Sequence, residues 1–177
     1  MNRILSSVAL AFICLFPVYG QMAWNAKYQN YFNQYKDLAI EQMLKYRIPA
    51  SITLAQGVFE SGAGYSDLAR NGNNHFGIKC HGWQGRKTYH DDDARNECFR
   101  AYDSPGQSYE DHSKFLMQSQ RYRRLFSLKI TDYKGWAHGL KACGYATNPA
   151  YAKKLIDIIE LYKLHKYDSA HGYDKFM

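Results

Sequence analysis

The run Ile48-Pro49 followed by residues 50–64, ASITLAQGVFESGAG, limits what this chain can become more than any other stretch. Proline holds φ near the helical value and lacks only an N–H that a first turn leaves unpaired, so Pro49 predicts a helix from Ala50. Ile52, Leu54, Ala55, Val58 and Phe59 form a broad apolar stripe at helical spacing, with Thr53, Gln56, Gly57 and Glu60 on the other side. Ser61-Gly62-Ala63-Gly64 ends the helix, because glycine readily takes the left-handed conformation that closes one. Glu60 then stands in the last turn of a mostly buried helix. The negative end of the helix dipole disfavours an anion there by about 0.3–1 kcal/mol. The flank of Val58 and Phe59 desolvates the carboxyl as well, and both effects raise its pKa. A carboxyl that keeps its proton near neutral pH is what a general acid requires. Gly57, one turn earlier, costs about 1 kcal/mol relative to alanine in a helix. It signals that something approaches the backbone closely, either a substrate or another helix.

The rest of the chain reads as more helices and one hairpin. Residues 25–46 predict a long helix on Tyr28, Tyr31, Phe32, Tyr35, Leu38, Ala39, Gln42, Met43 and Tyr46. Such a tyrosine stripe is either packing surface or a face for stacking sugars. Ser66 caps a single turn to Arg70, and Asn71-Gly72-Asn73-Asn74 is loop chemistry. Residues 87–90 and 97–100 read as two short strands around 91–96. Ser104 and Pro105 start a helix that runs to Gln118 and buries Tyr109, His112, Phe115 and Leu116. A basic connection at residues 121–125 leads to a helix capped by Thr131 or Asp132, ending near Ala142. Asn148 as cap and Pro149 as first residue predict the last helix, with Tyr151, Leu155, Ile158, Ile159 and Tyr162 on its apolar face. Residues 168–177 read as a frayed tail.

Residues 1–20 carry targeting information rather than fold. Arg3 precedes a mostly apolar run from 4 to 18, and small Gly20 suits cleavage ahead of Gln21. The run is short for a membrane span and Pro17 breaks it, so cleavage rather than a stable span is expected, with a retained anchor as the lesser alternative. Cys14 lacks the small preceding residue of a lipoprotein signal. Export to the periplasm, cell envelope or medium is the expectation, leaving residues 21–177 as a single domain with its core at about 25–166. The net charge of +7 changes by only one on loss of Arg3. A basic exported domain suits an anionic partner such as wall polymer, and no basic run has nucleic-acid motif spacing. A monomer without a cofactor is expected. Cys80 and Cys98 flank the hairpin; a bridge between them would close a loop of about 18 residues and contribute about 3 kcal/mol, leaving Cys143 unpaired.

Four separated segments carry a family resemblance. They are Ala55-Gln56-Gly57-Val58-Phe59-Glu60-Ser61-Gly62, Asn74-His75-Phe76-Gly77-Ile78-Lys79, Phe99-Arg100-Ala101-Tyr102-Asp103-Ser104, and residues 144–152, GYATNPAYA. In this order they resemble the bacterial N-acetylglucosaminidases of glycoside hydrolase family 73, the autolysin and flagellar-type cell-wall hydrolases. The resemblance implies an α+β, mainly α fold: a lysozyme-like helical domain with a small β-hairpin lobe flanking a substrate groove. It implies cleavage of the β-1,4 bond after N-acetylglucosamine in peptidoglycan, with Glu60 as general acid. A second acid is expected on the hairpin. Many members place a glutamate on the first strand, where this chain has Asp91, Asp92 and Asp93, with Glu97 on the returning strand; Asp92 is favoured. The same aspartates after His90 also read as a solvated turn or a divalent cation site, without the spacing of a calcium loop. Tyr145 is the tyrosine expected near the glutamate, orienting the acetamido group or stabilising charge at the anomeric carbon, or else plugging a helix junction. Asn74, Phe76, Trp83 and Tyr151 are the substrate-binding candidates. Three rivals stand beside this reading: a lytic transglycosylase, a cysteine–histidine endopeptidase using Cys80 or Cys143, and a glycan-binding protein without chemistry.

Overall fold

Every residue from Ala50 to Val58 is buried in the helix that follows Pro49, α2 (Ala50–Glu60). A helix buried on every face, its polar Ser51, Thr53 and Gln56 included, has to be covered on all sides. In the computed structural model, which describes residues 22–92 and 94–169, the cover comes from both ends of the chain. It consists of α1 (Ala26–Tyr46), α5 (Tyr133–Ala142), α6 (Tyr151–Leu161) and a short 3-10 helix, Leu164–Asp168. Between them run α3 (Asp67–Gly72), the strands β1 (Lys87–His90) and β2 (Glu97–Arg100), α4 (Pro105–Gln118) against α1, and a 3-10 helix at Gln120–Ser127. The fold is therefore α+β and mainly α, with one antiparallel hairpin in which Lys87 faces Arg100 and His90 faces Glu97. The leader expected at residues 1–20, Asp93, and all but the start of the expected tail lie outside the described residues.

Local chemistry sets most boundaries. The side chains of Asn25, Ser66, Ser104 and Asp132 each accept a backbone N–H at the start of α1, α3, α4 and α5. Caps of this kind are worth about 1 kcal/mol each. The last helix departs from expectation. Asn148 Oδ1 accepts from the Ala150 N–H at 2.9 Å, and its carbonyl accepts from the Tyr151 N–H at 3.1 Å. Asn148 and Pro149 thus form a turn ahead of α6, which starts at Tyr151. The frayed-tail expectation also fails at its first residue. Asp168 is buried, and its carboxylate accepts from the N–H and the hydroxyl of Ser51. It supplies α2 with the N-terminal side-chain cap that Pro49 cannot provide.

Two further ambiguities resolve on packing. A Cβ at Gly57 would lie 2.5 Å from the Tyr31 hydroxyl, so the close neighbour of this backbone is α1 rather than a substrate. Tyr31 accepts a hydrogen bond from Tyr109 Oη at 2.9 Å and lies 3.0 Å from His75 Nδ1, which makes the tyrosine stripe of α1 packing surface. On the other lobe, Cys80 and Cys98 are joined by a disulfide and Cys143 is free. The disulfide and the backbone bonds from Cys80 to Cys98 and from Arg100 to Ile78 sew the hairpin to residues 78–80. Arg100 then pairs with Asp111 of α4 at 2.8 Å, so the hairpin is fixed to the helical lobe at its far end.

Candidate active site

A cleft of about 580 Å³ separates the hairpin from the helices, large enough for several sugar rings. Glu60, the final residue of α2, lies in it. The Ala63 N–H bonds to the Val58 carbonyl at 2.8 Å, and Gly62 takes φ of 56°, the geometry that closes a helix end and fixes where its last side chain points. The Ser61 hydroxyl accepts from the Gly64 N–H at 2.8 Å and holds the loop that follows. Tyr145 is placed in the same way at the end of α5. Its N–H bonds to Leu140, the Gly144 N–H bonds to Lys141, and Gly144 has φ of 74°. Lys141 Nζ then ties down the carbonyls of Ala146 and Thr147.

These two helix ends and the first residue of α6 converge. Tyr151 Oη donates to Glu60 Oε1 at 3.0 Å and accepts from Gln56 Nε2 at 3.0 Å. Tyr145 stacks on Tyr151 with ring centroids 5.7 Å apart. Burial pushes the Glu60 carboxyl up to about 7; the charge of Asp92 pushes the same way, and the Tyr151 hydrogen bond pulls against both. With Oε1 occupied by the phenol, the proton of the neutral acid belongs on Oε2. Burial, with the Glu60 charge second, holds the Tyr145 phenol far above its ordinary range, so it stays neutral and able to donate.

The hairpin wall is thinner and wetter. Asp92 lines the cleft with its side chain half-exposed and lies 3.4 Å from Lys79 Nζ. Asp91 is turned into the hairpin turn, where it accepts the Asn96 N–H, and Glu97 is held by Lys79 at 3.0 Å. Among the described candidates for the second acid, Asp92 is the one in the cleft. Among the described residues no group of three His, Cys, Asp or Glu side chains could hold a metal ion.

The four substrate-binding candidates divide. Phe76 and Tyr151 line the cleft; Phe76 is supported from below by the buried His112 ring, stacked at 3.9 Å. Asn74 and Trp83 do not line it, and both expectations are corrected. The Asn74 amide is fully used by backbone: it donates to the carbonyls of Ile78 and Arg100 and accepts from the Ile78 N–H. Trp83 lies against the Arg100 guanidinium, 4.9 Å from its ring, and donates to the Arg86 carbonyl. Sequence reasoning did not assign Arg121, Lys79, Tyr122 or Phe115 to the cleft, although all four line it. Arg121 belonged to a stretch that reads only as a basic connection, without a motif to mark it.

Comparison with known proteins agrees with this geometry. The glucosaminidase family, described as mannosyl-glycoprotein endo-β-N-acetylglucosaminidase, matches residues 36–164. The exo-glucosaminidase LytG of Bacillus subtilis is 33% identical over 139 residues, which is 72% of this chain and 49% of that protein. The peptidoglycan hydrolase FlgJ of Vibrio cholerae is 33% identical over 138 residues, 66% of this chain and 40% of that protein. The chain thus spans about half the length, or less, of these curated relatives. Among solved structures, the glycoside hydrolase domain of Salmonella typhimurium FlgJ superposes with a TM-score of 0.66 at 26% identity, covering 84% of this chain and 96% of that one. The catalytic domain of the Listeria monocytogenes autolysin Auto gives 0.66 at 27% identity, covering 84% and 91%. With the family match spanning most of its length and these lysozyme-like neighbours, the chain belongs to the glucosaminidase family.

Proposed function

We propose that this protein hydrolyses the β-1,4 bond after N-acetylglucosamine in peptidoglycan strands, with Glu60 as the general acid. The observation that carries the reading is the setting of Glu60: a largely buried carboxyl at a helix end, in the cleft, with a pKa near 7 and one oxygen fixed by Tyr151. Its proton on Oε2 is transferred to the leaving glycosidic oxygen as the bond breaks. Water then attacks the anomeric carbon, assisted by Asp92 or by the acetamido oxygen of the substrate, which Tyr145 is placed to orient. The relatives LytG and FlgJ, named for glucosaminidase and peptidoglycan hydrolase activity, support this assignment. Peptidoglycan lies outside the cytoplasm, in keeping with the export expected of residues 1–20 and the single domain expected at residues 21–177. Among the described residues no helix is long and apolar enough to cross a membrane.

The cysteine-protease rival loses its residues. Cys80 is consumed in a disulfide, and Cys143 does not line the cleft. The transglycosylase rival needs the same acid and differs in its product. Purified sacculi digested with the protein and with Glu60→Gln test the proposal. The wild type should release new reducing termini on N-acetylglucosamine. The variant should fold and lose at least about 100-fold in rate, as for removal of a general acid. Turnover of the variant at the wild-type rate overturns the role of Glu60, and anhydro-muramic ends in the product overturn hydrolysis.

A further inference from the structure

The cationic side chains at the helical wall have no use in the chemistry proposed above. Arg121 lines the cleft from the 3-10 helix at Gln120–Ser127, exposed, with its guanidinium 4.7 Å from the centroid of the Tyr122 ring. Tyr122 is itself fully buried, which anchors the segment. Lys154, one turn into α6 from Tyr151, does not itself line the cleft but stands at its edge, its ammonium 5.0 Å from the ring of Phe59, which does. Among the described residues neither cation has a carboxylate partner. Lys153 pairs with Asp157 and Lys134 with Glu160, while Lys79 across the cleft pairs with Asp92 and Glu97. The two cations are therefore pre-positioned over aromatic faces and uncompensated, the state in which a basic group is ready for an anion from outside.

The substrate read above restricts what that anion can be. N-acetylated sugar rings are neutral, so the glycan strand offers nothing to a guanidinium or an ammonium except hydroxyl and carbonyl oxygens. In a strand that carries its peptides the lactyl carboxyl of each muramic acid is tied up in an amide, so the free carboxylates are those of the short peptides themselves. Cleavage after N-acetylglucosamine makes muramic acid the leaving group. One such peptide therefore has to leave the cleft beside the scissile bond.

We propose that Arg121 and Lys154 bind the carboxylates of this stem peptide, so that the cleft selects peptide-bearing strands over bare glycan. The inference rests on the hydrolase reading for the identity of the glycan, but its test does not depend on turnover. Soluble glycan fragments of one length are prepared in three forms: with stem peptides, with the peptides removed and the lactyl carboxylates this exposes converted to amides, and with the peptide carboxylates amidated. Their affinity for the Glu60→Gln protein is measured by calorimetry. The peptide-bearing form should bind about 5–10-fold more tightly than either of the others, in line with two partly exposed charge-assisted contacts. That advantage should shrink as salt is raised. In an Arg121→Ala/Lys154→Ala background it should fall to within about twofold, and Arg121→Lys, which keeps the charge, should retain most of it. Equal affinity for peptide-bearing and amidated fragments overturns the proposal without any variant at Arg121 or Lys154 having to fold. An undiminished preference in a folded double variant overturns it as well. If the fragments show the preference while wild-type protein releases no reducing ends from any of them, the hydrolase reading fails and the peptide site stands.

Discussion

Glu60 leaves the helical wall from the end of a helix buried along nine consecutive residues, whereas Asp92 leaves the opposite wall from the turn after a four-residue strand. The first carboxyl is largely buried, touches a phenol and is pushed up to about 7. The second is half-exposed beside the Lys79 ammonium. The buried wall is what holds the proton on Glu60, since burial is the largest cause of its raised pKa. The two are nonetheless coupled, because the charge of Asp92 helps to keep Glu60 protonated. In the proposed reaction a thick lobe would supply the acid and a thin one the assisting carboxylate.

Removing the hairpin acid tests that division most severely. Asp92→Asn is expected to lower the rate on sacculi by about 10²–10³-fold if Asp92 is the base that activates water. Activity of the wild type should fall as pH rises through about 7, because a general acid must be protonated. The same substitution removes a charge that raises the Glu60 pKa, so this limb should move to lower pH. A variant with an unchanged rate but a displaced limb assigns the second half of the reaction to the acetamido oxygen of the substrate. A variant in which neither rate nor limb changes breaks the comparison.

The walls should also differ in what holds them. Replacing Cys80 and Cys98 by serine removes a cross-link closing about 18 residues, a loss of about 3 kcal/mol in the chain-entropy model. Thermal melting should show the loss, and limited proteolysis should cut first within residues 81–97 while the helical lobe persists. On the other wall, Glu60→Gln should raise stability. The folded protein holds a proton on Glu60 up to about pH 7 that the unfolded chain releases near 4.5. The stability contributed by that proton is full below 4.5 and is lost as pH rises through 7. Glutamine cannot ionise, so the variant should gain on the wild type across this window, by about 1–3 kcal/mol at pH 8. Identical melting temperatures for both proteins at pH 5 and pH 8 would show that the core exerts no such pressure on this carboxyl.

How far the sequence was legible follows the range of the forces involved. Pro49, Gly62 and the caps at Asn25, Ser66, Ser104 and Asp132 act within a few residues, and the elements they bound are where local patterns put them. The two strands and the resemblance of four short segments were equally local. What escaped was action at a distance. Asn74 looks like a ligand-facing amide until the Arg100 carbonyl, 26 residues on, takes its donor. Asp168 looks like tail until it caps a helix 117 residues earlier. Trp83 has a free aromatic face in sequence and an arginine on it in three dimensions. Asn148 failed for a different reason: its side chain bonds two residues ahead and makes a turn where a helix cap was expected.

Tyr151 belongs to this second kind, and it gives the smallest and most specific test. Its place on the apolar face of α6 was readable from spacing, but its hydroxyl reaches Glu60 from 91 residues away. That hydrogen bond lowers the Glu60 pKa, against the combined action of burial and Asp92. Tyr151→Phe keeps the ring that packs on Tyr145 and removes only the hydroxyl. The alkaline limb of the pH profile should therefore move upward, opposite in sign to the shift expected for Asp92→Asn. Below that limb the rate should drop about fivefold, the worth of one hydrogen bond of about 1 kcal/mol that orients the acid. The unpaired Gln56 amide left behind should lower the melting temperature slightly. Two substitutions on opposite walls that move one limb in opposite directions would tie both to the same proton. A downward shift for Tyr151→Phe would mean that the phenol stabilises the protonated acid instead, and that its role in setting the proton on Oε2 has been assigned the wrong way round.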